Sequence, residues 1–280
     1  MMHSQDSVEK KIRVLESLVS DMGSVLIAFS GGVDSSFLLA VAANVSCKNA
    51  VALMTVSAST PPEDEQLATT LASTLHVQLL KIRHDELAIP QYAANPKNRC
   101  YFCKDSLYTI CQREAKRLSL KSIADGINLD DLTDYRPGLQ AATEYNVKHP
   151  LVDAGFTKSD VRQGSRLLGL STWDRPASPC LASRIPYGNT ITEKMLSQIA
   201  QGESFLRSLG FTEVRVRHHG KMARVEIAQR DLALLSSSEV IKTIGGEMTA
   251  IGFSVVGLDV GGYRTGVFNT HFSKLPVGQE

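Results

Sequence analysis

The sequence predicts an α/β protein, a doubly wound parallel sheet followed by a smaller C-terminal α+β domain. Short apolar runs alternate with helical patterns through roughly the first 170 residues, the order of a parallel sheet with helices on both faces. A Ser/Gly-rich turn sits where the first apolar run meets the first long helical pattern. Beyond residue 190 the order changes to a helix, two runs of strand-period alternation, two more helical stretches and a last strand. Residues 171–190, between these regions, are irregular. Trp173-Asp174-Arg175-Pro176-Ala177-Ser178-Pro179 carries two prolines that a regular helix would not accept. We therefore expect domains over 1–175 and 176–280.

In chain order, residues 8–20 read as an amphipathic helix. Val25-Leu26-Ile27-Ala28-Phe29 is apolar without a break, as a strand buried on both faces requires. A helix near 34–45 follows, then a strand over 50–56. Pro61-Pro62-Glu63-Asp64-Glu65 opens the next helix, because proline and acids suit a first turn. A third strand covers 77–82, a helix 101–118, a short fourth strand 122–124 and a helix 158–168. In the second domain Thr192 caps a helix that Gly210 stops. Strands at 214–218 and 223–227, helical stretches at 229–236 and 238–251, and a strand at 254–259 complete the chain.

Lys plus Arg (30) nearly equals Asp plus Glu (29), so the formal net charge is +1 and a dedicated nucleic-acid binder is not expected. No apolar run is long enough to span a membrane. The start, Met-Met-His-Ser-Gln-Asp, lacks the basic and apolar regions of a signal peptide, so we expect a cytoplasmic protein. Five cysteines in that setting do not suggest a disulfide framework.

The turn at residues 30–36 carries the clearest chemistry. Ser30, Gly31, Gly32, Val33, Asp34, Ser35 and Ser36 lie between a strand end and a helix start. Their free backbone N–H groups, with the positive end of the helix dipole, make an anion site, and phosphate is the usual anion. The stretch is not G-x-x-x-x-G-K-[ST], and it is not G-x-G-x-x-G. Asp34 is negative and unsuited to touch phosphate. We expect it to orient loop amides and help hold Mg²⁺, against the plainer role of capping its helix.

Asp125 and Gly126 follow the fourth strand at the sheet edge where a ligand should lie, and Gly126 would permit close backbone approach. Asn128, Asp131 and Arg136 could complete that pocket, although all these residue types also favour turns. Arg215 and Arg217 share one face of a strand, where two guanidinium groups could grip a phosphate. A solvated strand face is the alternative. Arg184 and Arg264 are further candidates for that grip. Glu203, on the helix after the irregular stretch, is a candidate to assist near Cys180, or a plain surface charge.

Cys100-Tyr101-Phe102-Cys103 is a C-x-x-C pair, and Cys180 is a third cysteine in the irregular stretch. Three such thiols can hold three irons of a [4Fe–4S] cube and leave one open. A structural zinc would want a fourth ligand, for which His149 and His76 are candidates without ligand-like spacing. A thioredoxin-like redox pair and inert thiols also remain open. Cys47 and Cys111 fall in helical stretches and read as inert.

Residues 30–35 match the SGG-x-DS pattern of the PP-loop ATP pyrophosphatases. Over nearly its whole length the chain resembles the LarE family of ATP-dependent sulfur transferases within that superfamily. The resemblance is carried by Ala28–Ser36, by Asp125-Gly126-Ile127-Asn128 with Asp131, and by Asp134-Tyr135-Arg136-Pro137-Gly138. It continues through Pro179-Cys180-Leu181-Ala182-Ser183-Arg184, Pro186-Tyr187-Gly188, Val214–His218 and Asp259–Gly266.

The resemblance implies a Rossmann-like PP-loop sheet, ATP and Mg²⁺ as cofactors, and Thr55 and Ser57 flanking the adenosine. It implies that a carboxylate of pyridinium-3,5-biscarboxylic acid mononucleotide is adenylated and then converted to a thiocarboxylate, on the way to the nickel-pincer nucleotide of lactate racemase. In one branch the cysteine at the position of Cys180 gives up its own sulfur. The C-x-x-C pair instead likens this chain to the branch in which Cys100, Cys103 and Cys180 hold a [4Fe–4S] cluster. A small nucleotide substrate, a homo-oligomer, a sulfur donor and a downstream nickel-insertion protein are the partners it implies. A tRNA thiolase, an ammonia-using synthetase and an ATP sensor without catalysis are the rivals.

Overall fold

The computed structural model describes residues 2–45, 49–133 and 137–263. Cys47, Arg136 and Arg264 lie outside the described residues. The chain divides into two units between Pro179 and Cys180.

The first unit opens with α1 (Met2–Asp21), β1 (Val25–Ala28), α2 (Val33–Asn44), β2 (Ala50–Val56), α3 (Pro62–Thr74) and β3 (Gln78–Arg83). A short helix α4 (Pro90–Ala93), the long α5 (Arg99–Arg117), β4 (Ser122–Ala124), α6 (Gly138–Glu144), α7 (Pro150–Asp153) and α8 (Lys158–Leu167) follow. All four strands run parallel, in the order β3-β2-β1-β4. Alternate residues of β1 feed two cores. Val25, Ile27 and Phe29 pack with residues of α1, α2, α3 and α8, whereas Leu26 and Ala28 pack with those of α5 and α6. Helices therefore cover both faces, as the unbroken apolar run of β1 requires.

The strand order has a mechanical consequence. β2 lies on one side of β1 and β4 on the other, so the chain reverses direction across β1. A crevice opens outside the carboxyl ends of β1 and β4 at such a reversal, and ligands of open α/β sheets bind there. The register places Ala28 beside Leu53 and Ile27 beside Ala124, which brings the loops after β1, β2 and β4 to one edge.

α2 buries nine of its twelve residues, from Val33 to Ala42. Its Phe37 stacks at 5.2 Å on Phe156 and presses against Gly164 of α8, where an added Cβ would lie 2.7 Å from the Phe37 ring. Only glycine admits so close a helix pair, and losing Phe37 to alanine would cost about 3–5 kcal/mol.

The second unit contains α9 (Glu193–Ser208), β5 (Val214–His219), β6 (Met222–Ile227), α10 (Ser238–Ile251) and β7 (Val255–Leu258). β5 pairs antiparallel with β6, and β6 parallel with β7. The Thr192 hydroxyl accepts from Met195 N at 3.2 Å, and Gly210 takes φ +95°, as the capping pattern predicts. Residues 229–236 form a 3₁₀ helix rather than an α-helix. The short helices α4, α6 and α7 have no counterpart among the expected elements, because four to seven residues carry too few turns to show a period.

Candidate active site

The phosphate-type loop is built from backbone. Gly31 takes φ +73°, and a Cβ there would meet Ala68 and Asp64 of α3 at 3.2–3.3 Å. Gly32 is the N-cap of α2 and no side chain caps that helix. Among the described residues no side chain caps the amides of Val33, Asp34 and Ser35 in its first turn, which is the arrangement that suits an anion. Ser30 and Ser35 fix the loop: their hydroxyls lie 3.2 Å apart, and the Ser35 hydroxyl donates to Gly32 O. Ser36 is fully buried, its hydroxyl unpartnered.

Asp34 does not cap its own helix. Its Oδ1 accepts from Asn128 Nδ2 at 3.1 Å, and its Oδ2 pairs with the ammonium of Lys158. Asn128 also makes turn contacts: its Oδ1 accepts from Asp130 N, and its own N–H is held by Asp131. Gly126 does permit a close approach, but to this protein's own backbone. A Cβ there would stand 2.6 Å from Ser35 N, so the loop after β4 lies directly on the first turn of α2.

Asp125 is turned inward. It accepts from the Tyr108 hydroxyl and from His149 Nδ1, both at 2.7 Å. Burial pushes its carboxyl up, yet His149, Lys104 and Tyr108 together hold it below its ordinary value. Burial pulls the His149 imidazole down, and Asp125 overcomes this and raises it. A His149 so engaged is an ion-pair partner rather than a zinc ligand, and His76 sits in a left-handed turn at φ 53°. At the end of β2 Thr55 is half-buried, and the Ser57 hydroxyl donates to the buried Glu86 at 2.9 Å.

Four contributors carry no motif. Lys158 holds Asp34. Arg175 donates to Gly31 O at 3.1 Å and to Asp64 at 2.5 Å, clamping the loop from the proline-rich stretch. Ser178 joins it on Asp64. Glu86 accepts from Ser57, from Ser59 at 2.7 Å and from the Cys103 thiol at 3.0 Å. The sole sequence signal among these is the Thr157/Asp160 capping box, which fixes Lys158 at the head of α8.

In the second unit Cys180 is half-buried and heads the short turn Leu181–Arg184. Arg184 donates to Cys180 O at 3.1 Å and, from its other edge, to both oxygens of Glu203. Glu203 is fully buried and also takes Arg207 and Val216 N, so it is an anchor for this turn and not a surface charge. Burial raises its carboxyl, but Arg184, Arg215 and Arg207 bring it below its ordinary value.

Arg217 and Arg215 share a face of β5 as expected, but both are buried. Arg217 forks onto Glu226 at 2.8 and 3.0 Å and reaches Ser183 O at 3.0 Å. Arg215 lies over the Tyr263 ring at 5.0 Å, and burial and Arg184 together lower its guanidinium. Arg184 and Arg207 bond Glu203, and the nearby charge of Arg215 adds to their pull on its carboxylate.

Cys100 is exposed and Cys103 half-buried, three residues apart on the first turn of α5, so both thiols lie on one helix face. Among the described residues no three His, Cys, Asp or Glu side chains gather as a metal-holding group. Cys111 is buried, which pushes its thiol up to about 12 and leaves it inert.

A family model described as NAD synthase matches residues 7–100, the span of β1, the loop and α2. A protein of Lactiplantibacillus plantarum named pyridinium-3,5-bisthiocarboxylic acid mononucleotide synthase is 33% identical over 270 residues, covering 95% of this chain and 96% of its own. The chain belongs to the LarE family. It is thus an ATP-dependent enzyme of the PP-loop class. Within the family's reach, an uncharacterised protein of Synechocystis is 41% identical over 271 residues, 95% of this chain and 100% of its own. One from Methanocaldococcus jannaschii is 27% identical over 243 residues, 86% of this chain and 91% of its own. Among the described residues no helix is long and apolar enough to cross a membrane.

Proposed function

We propose that this LarE-family protein adenylates a carboxylate of pyridinium-3,5-biscarboxylic acid mononucleotide and replaces the AMP by sulfur, giving a thiocarboxylate. The observation that carries this assignment is the 33% identity to the L. plantarum synthase, over 95% of this chain. A carboxylate is a poor electrophile with a poor leaving oxygen. Its attack on the α-phosphorus expels pyrophosphate and makes that oxygen part of AMP. Sulfur then adds to the acyl carbon and AMP departs with the oxygen. The amides of residues 33–35 hold the triphosphate, and Asp34, a carboxylate suited to a hard cation, holds Mg²⁺, which supplies charge neutralisation when bound. Thr55 and Ser57 are assigned to the adenosine and Asn128 and Asp131 to the substrate, with Arg136 for the substrate and Arg264 for its phosphate assigned from the sequence alone. Arg184, Arg215 and Arg217 are assigned to the phosphate of the mononucleotide, each of them now held by the protein's own acceptors: Glu203 for Arg184, Val214 O and the Tyr263 hydroxyl for Arg215, and Glu226 for Arg217.

For the sulfur, we assign Cys100, Cys103 and Cys180 to a [4Fe–4S] cluster because the family resemblance implies it and thiolates are the ligands such a cluster takes. When bound, such a cluster would supply sulfide and spare the cysteine. Glu203 serves by locking Arg184 against the Cys180 carbonyl. The protein would work in the cytoplasm as a homo-oligomer, fed by a sulfur donor and followed by a nickel-inserting protein. Pyrophosphate release tests the assignment: it should need the dicarboxylate nucleotide. Release prompted by tRNA, or by ammonia with another acid, would give the site to a rival chemistry.

A further inference from the structure

Lys158 is a basic residue at the loop that no motif announces, and it is the one that meets Asp34. Its backbone is fixed three ways. The Thr157/Asp160 capping box closes the start of α8, Lys158 N–H donates to Asp130 at 2.8 Å, and Lys11 ties Asp160 to Gly155 O at 2.6–2.7 Å. The contact of Gly164 with Phe37 sets α8 against α2. The Cα of Lys158 is thus held near Asp34, the second residue of α2, while its side chain keeps 37% exposure and can swing.

Asp34 carries the same two kinds of neighbour that an Mg²⁺-bearing carboxylate would have, a neutral amide on one oxygen and a cation on the other. A cation on Oδ2 competes with a metal there. If the metal takes that oxygen, the ammonium is released within reach of the amides of residues 33–35, where the phosphates belong. A flexible four-carbon stem with a compact charge suits that exchange, and a rigid guanidinium would suit it less.

We propose that Lys158 is a substrate-contacting residue with two positions: it stands in for the divalent cation on Asp34 in the nucleotide-free protein and moves onto the triphosphate when metal and nucleotide arrive. This rests on the assignment of MgATP to the loop and names a further residue for that site.

The test uses α,β-methylene-ATP, which cannot be split at the bond this class breaks, and Mn²⁺ as a paramagnetic probe. Nucleotide affinity is measured by calorimetry with Mn²⁺ present, and Mn²⁺ affinity alone by its spin-resonance signal. Lys158→Met should weaken nucleotide about tenfold, the worth of one charge-assisted bond to phosphate, and should tighten Mn²⁺ alone. Lys158→Arg should recover part of the nucleotide affinity. A Lys158→Met protein that melts lower yet binds both ligands as wild type does would make the ion pair merely structural and overturn the proposal. Weaker nucleotide without tighter Mn²⁺ would overturn the stand-in role. Wild-type protein that takes up no nucleotide would remove the MgATP assignment itself, and this inference with it.

Discussion

The two units hold their key carboxylates differently. In the first, Asp34 pairs with Lys158, whose side chain is 37% exposed, and takes a neutral amide from Asn128 on its other oxygen. In the second, Glu203 pairs with Arg184 at 0% and 1% exposure, and Arg207 and a main-chain N–H complete it. The half-exposed pair contributes at most about 1 kcal/mol and can part. Breaking the buried one would strand a charge, so it stays. One region is shaped to exchange cations during a reaction and the other to keep the Cys180 turn still.

The largest expected effect tests the exchanging side. Asp34→Ala should cut AMP formation at least about a thousandfold while circular dichroism stays unchanged, because its pair is weak in stability and central in chemistry. Normal AMP output would take the metal away from Asp34. Next, Glu203→Gln should cost about 3 kcal/mol or more in urea unfolding, because Arg184 and Arg207 lose their shared counter-charge. A small loss would mean that the second region is as pliable as the first.

Packing separates the units again. Gly126→Ala should destabilise by about 1–3 kcal/mol and loosen nucleotide binding, since its Cβ would collide with Ser35 N. Gly246→Ala, in open space on α10, should stabilise by about 0.5–1 kcal/mol. A Gly126→Ala protein as stable as wild type would show that the loop has room to relax.

The smallest effect is the pH dependence of the Asp125–His149 pair. His149 is raised in the folded protein, so its contribution is full below the ordinary histidine value of 6.5 and is lost as pH rises through the folded value. Asp125 is lowered, so its contribution is present above 3.8 and is lost as pH falls through the folded value. The melting-temperature gap between wild type and His149→Gln should therefore be widest in mildly acidic buffer and narrow toward pH 9. A gap that widens with pH would mean that the pair is held neutral.

How much of this was legible depended on distance along the chain. β1, the loop and α2 are contiguous, and local chemistry was enough to read them, although whether Asp34 caps α2 was not legible and the structure leaves that helix without a side-chain cap. Arg215 and Arg217 were placed on one face by the two-residue period alone, and the β5–β6 register agrees. Their burial was not legible, because Glu226 reaches Arg217 only across the hairpin. Lys158, Arg175 and Glu86 are missing from any motif for the same reason: each acts on a residue that folding alone brings near, 124 positions away for Lys158 and Asp34. Asp125 stood at the expected strand end, but its inward turn depends on Tyr108 and His149, two further elements.

The most direct test of the central claim is anaerobic incubation of the purified protein with ATP, Mg²⁺ and pyridinium-3,5-biscarboxylic acid mononucleotide, with mass spectrometry of product and protein together. The prediction is one AMP per carboxylate converted, sulfur in place of one carboxylate oxygen, and an unchanged Cys180. Sulfur in the product with its loss from Cys180 would replace the cluster by a sacrificial cysteine. AMP without any sulfur in the nucleotide would contradict the account.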